Sequence, residues 1–394
     1  MDHRATTLQL YAAGVAIAGF AAFTFVSLRS RSNSNALLVA RAEASSARAE
    51  ALSARSEASS ARALLSAIEN KAQTHTQSSP PLIVYLAGSF LPLSDAYVHV
   101  NDRGFLFSDS VYEVFKLKGS FLFTEREHMA RLRRGLRELR IDETMADGVP
   151  AAVRELARRN NLMESEAYAY IQISRGSAAP RAHSFVSGPV TPTVYIIVRP
   201  HNMPALIGAS AILEIDNRWG RCDIKTTSLL ANVLANTRAR EAGGYEALLE
   251  RDGLIVEASH SNVFAVVKDV NDDSITLITP PLVNILPGIT RQLILTRGLL
   301  LDSTFIKESG LKGGVLIREG NINISDIKNG RITELICTAS TSFVSPIVHI
   351  VGEIGQIGNG SVGPVAIALR NAWLRWWEQD MADYHNKKGG APVI

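Results

Sequence analysis

The stretch RWGRCDIKTTSLLANVLA, Arg218 to Ala235, is where the chain passes from extended structure into a helix. Just before it, AILEID (Ala211 to Asp216) has the composition of a strand. The loop that follows carries Trp219, Cys222 and Ile224 up to Lys225, and a helix is expected from about Thr226 to Ala242, rich in the strong helix formers Ala and Leu. Lys225, one of ten lysines, therefore lies at a loop-to-helix junction in an apolar and aromatic setting.

Downstream, YEALLE and LIVEAS flank Arg251-Asp252-Gly253, and Asp-Gly between two apolar runs is a hairpin signal. NVFAVV and ITLITP continue the sheet, and an amphipathic helix, ITRQLILTRGLL, starts after Pro287-Gly288. ELICTAS is an apolar strand running into the hydroxyl residues Ser340 to Ser342. AIALRNAWLRWWEQDMADYH reads as a helix whose Trp373, Trp376 and Trp377 pack on the body of the protein.

Upstream, the strands IVYLAGSFLPL (turn at Gly88), AYVHV and SVYEVFKLKGSFLF (turn at Lys118 to Ser120) precede a helix over Thr124 to Ile141. Thr124 and Glu127 have capping-box spacing. A second helix near Pro150 to Asn160 and the strands AYAYIQISRG and TPTVYIIVRP complete a small unit. The fold class is α+β in two domains, a small α/β domain over 82–202 and a larger one over 203–388, and a cleft between them is the natural ligand site.

The first eighty residues read differently. LQLYAAGVAIAGFAAFTFVSL, Leu8 to Leu28, is uncharged and long enough, at about 1.5 Å per residue, for a hydrocarbon core of about 30 Å. Residues 1–30 are thus expected to be a membrane anchor. Arg29 and Arg31 after the span weakly place the rest in the cytosol. An organelle-targeting segment (mitochondrion or plastid) is the alternative; a secretory signal fits less well, because the run is long and no clear cleavage site follows. Over 31–81, Arg41, Arg48, Arg55 and Arg62 recur every seven residues with Glu43, Glu50 and Glu57. That heptad repeat is either a helical stalk or a low-complexity spacer, and SSPP closes it as a linker.

Composition narrows the function. The net charge is +3 from 41 basic and 38 acidic residues, scattered along the chain, which gives no electrostatic case for nucleic-acid binding. Cys222 and Cys337 have no metal-ligand spacing and support neither a zinc site nor a disulfide framework. No P-loop, nucleophile elbow or dinucleotide fingerprint occurs.

Seven blocks in order carry a resemblance: DRGFLFSDSVYEVF (Asp102 to Phe115), EHMARL (Glu127 to Leu132), SRGSAAPRAH (Ser174 to His183), RWGRCDIKTTSLLANVLA, EASHSNVF (Glu257 to Phe264), LPGITR (Leu286 to Arg291) and CTASTSFVSP (Cys337 to Pro346). Together they resemble the fold-type IV pyridoxal-phosphate aminotransferases, in the D-amino-acid transaminase branch. The resemblance implies a pseudo-barrel sheet in the larger domain, pyridoxal 5'-phosphate as cofactor, an amino acid and a 2-oxo acid as substrates, and a homodimer. It implies that Lys225 is the catalytic lysine that carries the cofactor, and that Glu257 pairs with the pyridine nitrogen. It implies that Arg131, Ile289, Thr290 and Thr341 bind the phosphate and that Leu286 packs on the ring. Tyr112, Arg181 and His183 resemble the residues that hold the substrate α-carboxylate in D-specific enzymes.

The chain departs from the pattern at Ser108 and Ser110, which replace glycine-like positions, and at His260, where a small hydroxyl residue is usual. His260 is expected to alter side-chain preference or reaction course. The rival readings are a 4-amino-4-deoxychorismate lyase, a branched-chain or (R)-amine transaminase, and, from another class, a membrane-tethered silent homologue.

Overall fold

The computed structural model describes Ala44, Ala47 and residues 80–185, 188–268, 274–297, 303–309 and 315–388. The chain divides into Met1–Pro80 and Pro81–Ile394, and the elements below belong to the second unit.

Six strands, β1 (Ile83–Leu86), β2 (Ser89–Pro92), β3 (Ser110–Lys118), β4 (Phe121–Leu122), β5 (Glu166–Ser174) and β6 (Thr193–Pro200), form an antiparallel sheet in the order β2-β1-β6-β5-β3-β4. Period-2 alternation sets its faces. Val111, Phe115 and Leu117 of β3 and Ala169, Ile171 and Ile173 of β5 meet the helices Glu125–Glu138 and Val149–Arg159. Leu132, Leu136, Val153 and Leu156 close that core, each fully buried side chain contributing about 1.5–3 kcal/mol. Tyr112 and Val114 occupy the intervening positions of β3 and line a cavity on the sheet's other face. This strand therefore separates the helical layer from the cavity.

The remaining strands are β7 (Ala209–Ile215), β8 (Glu246–Arg251), β9 (Leu254–Ala258), β10 (Asn262–Lys268), β11 (Ile275–Thr279), β12 (Val315–Glu319), β13 (Ile322–Asn323), β14 (Ile332–Ala339), β15 (Phe343–Ile350) and β16 (Gly355–Gln356). They build a mixed, curled half-barrel sheet in the order β12-β11-β10-β14-β15-β7-β8-β9-β13, with β16 on β15. The Asp252-Gly253 turn joins β8 to β9 as its sequence predicts, both residues having positive φ, 52° and 79°. The C-terminal helix, Pro364–Lys388, lays Trp373 and Trp377 against Phe343 of β15, against Phe121 of β4 and against Phe123 just after it. Its first turn is fixed by Glu334, whose oxygens accept from Val365 N and Ala366 N at 3.0 and 2.9 Å.

Several expectations need correction. AYVHV is not a strand: no neighbouring strand pairs with it, and Tyr97, Val98 and Val100 are exposed. Asp102 instead caps a short helix, Arg103–Phe107, within what the sequence suggests is strand and loop. Thr124 does precede its helix, but with φ 50° it forms no capping box, and its hydroxyl is buried without a partner. The helix after Lys225 begins at Leu230, because Thr226 bridges to Val111 and holds the chain extended.

The membrane-anchored placement, facing the cytosol, is also corrected. Among the described residues no helix is long and apolar enough to cross a membrane. The Leu8–Leu28 span and most of the heptad stretch lie outside the described residues; Ala44 and Ala47 are helical and exposed.

Candidate active site

The cavity between the two sheets has a volume of about 500 Å3. Lys225, Tyr112, Arg131, Glu257, Leu286, Ile289, Thr290 and Thr341 all line it, so eight of the ten residues singled out in the sequence converge on one space.

Lys225 is held there by its backbone. Its carbonyl accepts from Tyr112 N at 2.9 Å, and the adjacent Thr226 forms a bridge to Val111, which stitches the loop to β3. The ammonium then lies 4.2 Å from the centroid of the Tyr112 ring, half-buried on the cavity wall. A surface lysine at a helix start is not what the structure presents.

Glu257, the last residue but one of β9, is buried. One oxygen accepts from Asn262 Nδ2 at 3.0 Å and Leu286 N at 3.1 Å, and the other pairs with Arg218. Arg218 in turn forks onto Asp216, with both N–O distances at 2.9 Å. Arg251 closes the far side of Asp216 at 2.9 Å. Burial pushes the Glu257 carboxyl up to about 7, against the pull of the neighbouring Arg218 guanidinium. A carboxyl poised there can hold a proton shared with a ring nitrogen.

The opposite chemistry gathers around residues 286–290. The helix Ile289–Thr296 starts at Gly288 without a side-chain cap, leaving first-turn N–H groups for an anion. Gly288 is required by close approach, since a Cβ there would lie 1.8 Å from Asn262 Oδ1. The Thr290 hydroxyl is buried and has no partner, which is costly unless a ligand supplies one. Arg131 donates to Glu113 through two nitrogens and to the Pro287 carbonyl at 3.0 Å. Of the guanidinium's five N–H groups, two remain for a ligand. An amine, a buried carboxyl and an anion cradle with an orphaned hydroxyl fit pyridoxal phosphate.

Arg181 and His183 do not reach this cavity within one chain. The Arg181 guanidinium stacks 4.5 Å over the Phe107 ring, and the His183 ring lies 5.5 Å from the same phenyl. Both are exposed. His183 borders a second hollow of about 350 Å3 that shares Trp219, Thr226 and Ser228 with the first.

Four supporting residues escape the sequence reading. Glu113 is wholly buried beneath Arg131 and His128; although burial opposes its charge, these two neighbours hold its carboxyl far below the usual carboxylate range. Burial in turn lowers His128, in spite of Glu113. The available signal was an acid at an inward position of the strand VYEVF, in register with Val111 and Phe115. Arg218, Asp216 and Asn262 lie in or beside the blocks already quoted, but the contacts of Arg218 and Asn262 with Glu257, and the hold of Asp216 on Arg218, are seen only in the folded chain.

The amino-transferase class IV family model matches residues 110–350, and the chain belongs to that family, which works with pyridoxal phosphate. A D-alanine aminotransferase of Bacillus licheniformis is 34% identical over 300 residues, covering 74% of this chain and 97% of the relative. One from Staphylococcus haemolyticus is 34% identical over 75% of this chain and 98% of its own. Among solved structures, the branched-chain amino acid aminotransferase of Escherichia coli superposes with a TM-score of 0.61 at 25% identity, covering 75% of this chain and 94% of that one. The protein is an aminotransferase.

Proposed function

We propose that this enzyme moves the amino group of a D-amino acid, D-alanine among them, to a 2-oxo acid such as 2-oxoglutarate. The observation that carries the reading is Lys225 on the wall of one cavity with Glu257 and the anion cradle at residues 286–290. When bound, the cofactor supplies an electron sink for the bond broken at the substrate's α-carbon. Arg131, Ile289, Thr290 and Thr341 hold its phosphate, and Leu286 packs on its ring. Glu257 holds a proton at the ring nitrogen, with Arg218 keeping the carboxyl in place. The Lys225 amine takes the α-proton of the amino acid and returns a proton in the second half-reaction.

Tyr112, Arg181 and His183 fix the substrate α-carboxylate, and so decide which face of the α-carbon meets Lys225. Because Arg181 and His183 lie outside their own chain's cavity, we assign them to the cavity of a second copy in a homodimer. Exposed apolar side chains on both sides support such docking. Phe105 and Phe185, near Arg181, are 75% and 50% exposed, and Leu230 and Val233, at the start of the helix beside the cavity, are 72% and 54% exposed. We keep a domain boundary near residue 202 as part of this reading; the end of β6 at Pro200 and the start of β7 at Ala209 support it.

The test is turnover by the full chain. D-alanine and 2-oxoglutarate should yield pyruvate and glutamate, and Lys225→Ala should lose at least about 100-fold of that rate, the low end of what a positioned proton-transfer group contributes. Activity confined to L-valine or L-leucine would move the enzyme to the branched-chain type. Pyruvate released without an amino acceptor would make it a lyase.

A further inference from the structure

The cavity has a polar end that the cofactor-holding residues do not account for. The turn between β9 and β10 faces the helix Leu230–Glu241, and there His260, Asn232 and Asn236 line the wall. Asn232 Nδ2 donates to the Ser259 carbonyl at 2.8 Å and Asn236 Nδ2 to Ser259 Oγ at 3.2 Å, which fixes both amides. Each amide keeps a second N–H.

His260 is held from behind. Its Nδ1 lies 3.2 Å from Glu246 Oε1, and its ring meets Tyr245 edge-on at 5.7 Å. Glu246 is wholly buried, and its oxygens accept from His260 N at 2.7 Å and Ser261 Oγ at 2.8 Å. The acid is therefore screened from the cavity, and the half-exposed imidazole is the part of the pair that reaches it. With Nδ1 turned to Glu246, Nε2 across the ring is the nitrogen a ligand meets. A ring with a proton on each nitrogen, set between the buried acid and a ligand carboxylate, donates to the first through Nδ1 and to the second through Nε2. Of the basic side chains on the wall, Arg131 pairs with Glu113 and Arg218 with Asp216 and Glu257, while Lys225 lies over the Tyr112 ring as the amine of the transaminase reading.

We propose that His260 is a specificity-determining residue, which with Asn232 and Asn236 forms a subsite for a second carboxylate. The enzyme then favours dicarboxylic partners, an acidic D-amino acid or a 2-oxo diacid, over monocarboxylic ones of equal length. The inference rests on the transaminase reading and adds the substrate class to it.

Binding of unreactive acids tests it without turnover. Calorimetric titration of the cofactor-loaded full chain with pentanedioate and with pentanoate gives a ratio of dissociation constants. The expected ratio favours the diacid about tenfold, equivalent to about 1.4 kcal/mol, and falls towards one in His260→Ser. Should that variant not fold, Asn236→Ala is expected to lower the ratio as well. A wild-type chain with no preference for the diacid, or a preference unchanged in the folded variants, overturns the subsite. Either result can coexist with D-alanine turnover, whereas failure to transaminate any D-amino acid would remove the functional reading and leave the binding ratio standing.

Discussion

Arg131 closes a two-pronged contact on Glu113, with Nε 2.6 Å from Oε1 and a terminal nitrogen 3.0 Å from Oε2. The acid is wholly buried and also takes His128 Nδ1 at 2.7 Å, so the direction of the guanidinium is set from beneath the cavity floor. Removing the acid leaves a nearly buried arginine without its counter-charge. Glu113→Ala is expected to cost about 3–5 kcal/mol of stability and to weaken cofactor retention with it. Urea denaturation and cofactor titration check both; native values for the two would show the pair to be idle.

That contact also marks what a sequence conveys. The resemblance carried by short blocks picks out Lys225, Glu257, Arg131 and the residues from Leu286 to Thr290, and the fold brings Lys225, Arg131, Glu257, Leu286, Gly288, Ile289 and Thr290 to one cavity. The Asp252-Gly253 hairpin and the buried tryptophans were legible because turn chemistry and helical period act over a few residues. Glu113 and Arg218 were not, because their partners are brought in by the packing of separate elements. AYVHV shows the converse: its alternation suits a strand, but a strand also needs a neighbour, and none is adjacent.

Glu257 gives the cofactor-free protein a pH signature. Its carboxyl is raised from an ordinary value of 4.5 to about 7, mainly by burial, so between these values the folded chain binds more protons than the unfolded one. The resulting stability is fully present below pH 4.5 and is lost as pH rises through 7, an amount of up to about 3 kcal/mol. Glu113 has the opposite sign, its contribution being lost only as pH falls below the ordinary carboxylate range. Glu334 is raised too, so the comparison that isolates Glu257 is Glu257→Gln, in which the slope between pH 4.5 and 7 should flatten. Denaturation midpoints across that range measure it, and an unchanged slope would contradict the assignment.

Gly288 should tolerate no side chain. An added Cβ would overlap Asn262 Oδ1, and Asn262 Nδ2 bonds both Glu257 and the Leu286 carbonyl. Gly288→Ala is expected to cost about 1–3 kcal/mol and to loosen the cofactor at both ends, since Asn262 links the acid to the loop of the anion cradle. Thermal unfolding with and without cofactor would reveal this as a smaller cofactor-induced shift than in the wild type.

The placement of Arg181 against Phe107, outside its own cavity, makes a prediction about mixed dimers. Lys225→Ala chains have no catalytic amine, and Arg181→Ala chains have a defective carboxylate grip, so each alone should be nearly inactive. If the arginine serves the partner's cavity, a mixed dimer has one intact site: Lys225 from the Arg181→Ala chain and Arg181 from the Lys225→Ala chain. Random reassociation of equal amounts makes about half the dimers mixed, with one of two sites intact in each, so about a quarter of wild-type activity should return. If Arg181 served its own cavity, no combination would restore an intact site, and mixing would leave the rate where it was. The same experiment with His183→Ala separates the two residues, because a histidine that only packs on Phe107 would leave its chain active before any mixing.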